Sequence, residues 1–262
     1  MGILHTMFHP NPKPVVLCIS GHDPCGGAGI QADIEAVAAQ GAHAATLITC
    51  LTVQDSSNVY EVLPVQPAIL LRQATRIAKD YPVAAIKIGL IGSAETANAL
   101  QQIRQLLPDI PLVLDTVLAS GGGQGIGAAA YLEPLIPLST LLTPNRREAR
   151  ELSGGNTPDA CGAKLLQKGC GAVLITGADE SSHGQVTNTL YRNGETRHWQ
   201  WPKLPGDYHG SGCTLAAAIA AQLALGEPLT EAIARAQAYT WESLQQGFRP
   251  GSGQFIPDRI RP

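Results

Sequence analysis

The chain alternates between short apolar runs and longer stretches in which apolar residues recur every three or four positions. PVVLCIS, ending at Ser20, is apolar with scarcely a break and is bounded by glycine, the pattern of a strand covered on both faces. IQADIEAVAAQG then reads as a helix closed by Gly41. The same reading predicts strands over AATLITCLTVQ (44–54), VAAIKIGL (83–90), PLVLD (111–115) and AVLITG (172–177), with a shorter extended piece at NVYEVLPV. Helices are predicted over 66–79, 94–107, 145–153, 158–168, 212–225 and 229–244. A glycine-rich connection (Gly121, Gly122, Gly123, Gly125, Gly127) leads into a further short helix and then STLLTPN. QVTNTLYRNGETRHWQW predicts a hairpin turning at Asn193-Gly194, because Asn-Gly tolerates the positive φ that a tight turn needs.

Strand and helix alternate at least five times. This predicts an α/β fold with a mostly parallel central sheet and helices on both faces, in one domain over 15–262 behind a flexible leader of residues 1–14. In such sheets ligands sit outside the carboxyl ends of the strands, so the polar residues there are the ones to inspect.

Composition changes the picture mainly by exclusion. The 262 residues carry a net charge of −3, with no basic excess that would attract nucleic acid or an anionic membrane. No apolar run approaches the roughly 18 residues of a membrane span. MGILHTMFHPNPKP lacks the pattern of a signal peptide, and the expectation is a soluble cytoplasmic protein. The six cysteines form no CxxC pair, which argues against a zinc site or a disulfide framework.

Four constellations carry candidate chemistry. In GHDPCGGAG the glycines expose backbone N–H groups at a strand-to-helix turn, with Gly21 and Asp23 beside them. Gln54, just past a strand, offers a donor and an acceptor together, which suits a heterocycle with an amino group beside a ring nitrogen; a plain turn glutamine is the other reading. In TPNRREA, Asn145 and Glu148 share a helix face, either as ordinary first-turn residues or as a pair organising Mg²⁺ near phosphates. In HGSGCTLAAAIAAQLALG the amides of Gly210, Ser211, Gly212 and Cys213 open a helix, where they would stabilise charge on a transferring phosphoryl group. The same helix end predicts a lowered pKa for Cys213.

SGHDPCGGAGIQADIEA, LITCLTVQDS, KIGLIGS, TPNRREA and YHGSGCTLAAAIA, in this order, resemble the hydroxymethylpyrimidine/phosphomethylpyrimidine kinases of the ribokinase-like superfamily, from about Val15 to Asp258. The resemblance implies a three-layer α/β/α sandwich and an enzyme that uses ATP and Mg²⁺ to make a pyrimidine monophosphate and then the diphosphate in thiamine biosynthesis. It also implies that Gln54, Asp23, Gly21 and Val117 bind substrate and that Thr176, Gly177 and Asn145 hold the nucleotide. Asn145 and Glu148 then organise the metal, Gly210 to Cys213 form the catalytic turn, and the protein is a homodimer. Two departures bear on the second transfer. Asp115-Thr116-Val117 stands where many relatives read Asp-Pro-Val, and Thr176 lies near where many carry a phosphate-binding lysine. Lys87 and Arg249 are the candidate replacement cations. The rival readings are a pyridoxal or other ribokinase-type small-molecule kinase, and a non-catalytic pyrimidine-binding regulator.

Overall fold

A computed structural model describes residues 13–119, 125–180 and 184–260; the leader up to residue 12 and Gly121 to Gly123 lie outside them. Strand β1 (Val15–His22) explains the unbroken apolar run: Val15, Leu17 and Ile19 face one core while Val16 and Cys18 face another. With both faces covered, no polar alternation is needed. Around β1 lie β2 (His43–Gln54) and β4 (Val83–Ile88), both parallel to it. The parallel series continues through β5 (Leu112–Leu114), β6 (Leu141–Leu142) and β7 (Val173–Ile175). Antiparallel strands close both ends. β3 (Val59–Pro64) pairs with β2, and the hairpin of β8 (Gln185–Arg192) and β9 (Glu195–Pro202) pairs with β7. The sheet order is β3-β2-β1-β4-β5-β6-β7-β8-β9.

Helices α1 (Gly29–Ala39), α7 (Ser211–Ala224) and α8 (Leu229–Gln245) supply one core, which includes Ile30, Val37, Ile219 and Ile233. On the opposite face lie α2 (Pro67–Asp80), α3 (Ala94–Leu106), α5 (Arg146–Ser153) and α6 (Pro158–Gln167). The expected short helix is two pieces: α4 (Ala129–Leu132), then a 3₁₀ segment over Glu133–Leu138. Pro134 and Pro137 explain the change, since neither can donate the N–H that α-helix requires. Among the described residues no helix is long and apolar enough to cross a membrane.

Candidate active site

At the carboxyl ends of the central strands lies a cavity of about 720 Å³. It collects Gly21, Asp23, Gln54, Val117, Asn145, Glu148, Thr176 and the whole Gly210–Cys213 turn. Gly177 is not among its lining residues, and its N–H donates to Asn188 Oδ1 at 3.0 Å.

Asp23, 5% exposed, accepts from the amides of Cys25 (2.8 Å) and Ala28 (2.9 Å), so the glycine loop folds around its carboxylate. His209 Nε2 lies 2.8 Å from the same group. Burial pushes the Asp23 pKa up, but the His209 contact and the two amides outweigh it and hold the carboxyl below its usual range. The Gln54 amide sits between Thr52 Oγ1 (2.9 Å) and His209 Nε2 (3.3 Å). His209 Nε2 lies against both side chains, but its one N–H is donated to the Asp23 carboxylate and leaves no lone pair for the Gln54 amide; the sequence reading missed this residue although it opens the HGSGC stretch.

Gly210 takes φ +85, and a Cβ there would run into the carbonyl oxygen of Gly27, so only glycine lets the two turns pack together. α7 begins at Ser211 with its first amides aimed at the cavity, and Thr214 N–H is the first to close on Gly210 O, at 2.9 Å. Arg259, 1% exposed, clamps the assembly from the C-terminal tail. Its guanidinium donates to Thr214 Oγ1 (2.8 Å), to Glu35 (3.0 Å) and to the Gly27 carbonyl.

Cys213 is where local reasoning fails. Its thiol is pushed up to about 12 rather than lowered. Burial is the main cause, and the carboxylates of Asp115 and Asp33 add to it; Lys87 and the Gly29 amide pull the other way and lose. Lys87 is buried in β4, 2.7 Å from Asp33 and 3.5 Å from Asp115. These two carboxylates and the nearby Cys213 outweigh desolvation and hold it as an ammonium with a raised pKa. It is therefore committed inside the fold and not free to meet an incoming phosphate. Arg249 stacks over the Phe255 ring at 5.0 Å. The cations on the cavity wall are Arg147 and Lys203, which the sequence reading did not single out.

Asn145 caps α5, its side chain accepting from Glu148 N–H (2.9 Å), while the Glu148 carboxylate accepts from Asn145 N–H (3.0 Å). Thr116 Oγ1 donates to the same carboxylate at 3.1 Å, so the residue replacing proline supplies a hydroxyl that orients Glu148. Burial, with the charge of Asp115, raises the Glu148 pKa to about 7. Asp115 Oδ2 is buried and makes no hydrogen bond, the Lys87 ammonium standing 3.5 Å from it. Two carboxylates, one short of donors and one reluctant to ionise, are a donor set that a hard divalent cation suits.

The family model for phosphomethylpyrimidine kinase matches residues 23–258. The thiamine biosynthesis bifunctional protein ThiED of Geobacter sulfurreducens is 35% identical over 97% of this chain, which spans 54% of that longer protein. The hydroxymethylpyrimidine/phosphomethylpyrimidine kinase of Rhizobium meliloti is 35% identical over 92% of this chain and 94% of its own. An ADP complex of Bacillus subtilis pyridoxal kinase superposes with a TM-score of 0.88 at 27% identity, covering 95% of this chain and 98% of that one.

Proposed function

Because the chain belongs to the phosphomethylpyrimidine kinase family, we propose that it transfers the γ-phosphoryl group of ATP twice. The first acceptor is the hydroxymethyl oxygen of 4-amino-5-hydroxymethyl-2-methylpyrimidine. The second is the phosphate of the product, giving the diphosphate used in thiamine biosynthesis. One observation carries the reading: a single cavity joins the Gln54–His209–Asp23 cluster to the amide-lined start of α7.

In each transfer the bond from the γ-phosphorus to the ADP oxygen breaks and a bond to the acceptor oxygen forms. The transition state is loose, so positioning and charge neutralisation outweigh base strength. Gln54 and Asp23 hold the pyrimidine with Gly21 and Val117 against it, and the Gly210–Cys213 amides receive the migrating group. Only the rare thiolate form of Cys213 accepts the hydroxymethyl proton. The second acceptor is a phosphate monoester with a pKa near about 6, already ionised at neutral pH, and it needs no base. Magnesium, held by Glu148 and Asp115 with Asn145 and Thr116 fixing Glu148, would neutralise charge on the polyphosphate. Thr176 lies on the nucleotide side, and Arg147 and Lys203 serve the extra charge of the second transfer.

A homodimer is part of the same proposal. Leu51 on β2 and Leu63 on the edge strand β3 face each other across the pair and are 46% and 44% exposed, with Val53 and Tyr60 beside them. Glu61 stands opposite Val53 at the rim, and exposed apolar side chains of this kind, edged by a charge, suit a second copy of the chain. Light scattering tests it: the wild type should run at twice the monomer mass and Leu63→Glu at the monomer mass.

The pyridoxal reading has the Bacillus subtilis neighbour in its favour. ATP consumption with the hydroxymethylpyrimidine, its monophosphate and pyridoxal, each alone, separates the possibilities. Turnover of the first two supports the proposal. Turnover of pyridoxal alone overturns it, and tight pyrimidine binding without turnover makes the protein a regulator.

A further inference from the structure

The cavity crosses the sheet, and its three parts differ in chemistry. Over β1 and β2 lies the polar Gln54–His209–Asp23 cluster, and beside it the amides at the start of α7. The third part lies between α8 and the β8–β9 hairpin, and its walls include Val186, Trp201, Trp241 and Leu244. Trp201 and Trp241 stack with ring centroids 6.2 Å apart and planes at 28°. Besides these apolar walls the flank carries a short chain of amides, with Thr240 on α8 and Lys203 just past β9 also on the cavity wall.

The direction of that chain is fixed by two groups that can only donate. Gly177 N–H donates to Asn188 Oδ1 at 3.0 Å, which turns Asn188 Nδ2 toward Gln237. Asn188 Nδ2 donates to Gln237 Oε1 at 2.8 Å, and the Trp201 indole N–H donates to the same oxygen at 3.2 Å. Flipping Gln237 would set its NH₂ against both donors. Gln237 Nε2 is therefore left over: the residue is 3% exposed and lines the cavity, yet this nitrogen has no hydrogen-bond partner. A buried donor without an acceptor is destabilising by about 1–3 kcal/mol, so an arrangement that locks one in place asks for a ligand.

We propose that Gln237 is the base-reading residue of the nucleotide site, its Nε2 donating to a ring-nitrogen acceptor on the base of the phosphoryl donor. The inference rests on the kinase reading. If the pyrimidine occupies the β1–β2 end and the migrating phosphoryl group the start of α7, the flank beyond is where the donor's base must lie. A flat aromatic ring with an acceptor at its edge matches an apolar slot with one spare donor. The Asn188–Trp201 relay makes the donor rigid, so an acceptor gains and a donor edge is refused.

The test is equilibrium binding of a non-hydrolysable ATP analogue, followed by quenching of tryptophan emission from the Trp201–Trp241 pair beside the slot. Gln237→Glu keeps both accepted hydrogen bonds and replaces the free donor with an acceptor; Gln237→Met is the second variant should the first fail to fold. Either should weaken nucleotide binding at least tenfold while tripolyphosphate, which has no base, binds wild type and variant alike. The KM for ATP should rise with kcat at saturating ATP within about threefold. Analogues with one purine nitrogen replaced by carbon locate the contact. One of the 1-, 3- and 7-deaza analogues should bind wild type about tenfold more weakly than its parent, and should bind the variant no more weakly than the parent does. Equal wild-type-to-variant ratios for the parent and all three analogues would overturn the inference with the kinase reading intact. Failure of the wild type to bind any nucleoside triphosphate overturns both.

Discussion

Removing the Cys213 thiol should divide the two phosphoryl transfers. With its pKa near 12, the thiolate fraction at pH 7.5 is roughly 3 in 100,000, against about one in ten for an ordinary thiol near 8.5. Burial and the nearby carboxylates together make the base scarce by a factor on the order of 10³. If that scarce form accepts the hydroxymethyl proton, the first transfer in the wild type should climb about tenfold per pH unit between pH 7.5 and 10. The phosphate acceptor is ionised throughout that range, so the second transfer should stay flat. General-base contributions run at about 10² to 10⁴, and Cys213→Ala should slow the first transfer at least hundredfold and abolish its pH slope. The second should change by no more than about threefold. Single-turnover assays with enzyme in excess, saturating magnesium and either acceptor read both rates directly. Equal losses in the two transfers, or a wild-type profile level from pH 8 upward, would show that Cys213 takes no proton.

Gly210→Ala should behave oppositely, because a methyl group pressed onto the Gly27 carbonyl displaces amides that both transfers share; both rates should fall tenfold or more in the same assay. Glu148 titrates near 7, so its carboxylate is lost as pH falls through neutrality. The magnesium concentration for half-maximal activity should therefore rise as pH drops from 8 to 6, and in Thr116→Val it should be raised at every pH. Arg259→Met leaves Glu35 and the Gly27 carbonyl without their buried partner. Calorimetry should show about 3–5 kcal/mol lost and a melting temperature about 10 °C lower, with Arg259→Lys only partly restoring it because an ammonium cannot span three acceptors.

What the chain discloses in advance is what nearest neighbours decide. The unbroken run before Ser20 announces a doubly covered strand, and Asn193-Gly194 sets the hairpin register in which Arg192 faces Glu195. Gly210 is legible because a helix opening on glycines has few other uses. Lys87 is not, because nothing in VAAIKIGL says that Asp33, more than fifty residues earlier, packs against its ammonium. The Cys213 pKa fails for the same reason. A helix N-terminus is a local property, whereas burial and two carboxylates from α1 and the end of β5 arrive only with the tertiary fold. The orphan amide of Gln237 takes three distant segments to create, and no spacing rule reports it.

Arg259 gives the pocket a birth order. Vectorial synthesis delivers Gly27 and Glu35 early and Thr214 far later, and the fork that staples them follows all three in the chain. A nascent chain that stops before residue 259 carries the glycine loop and the α7 turn without the clamp that fastens one to the other.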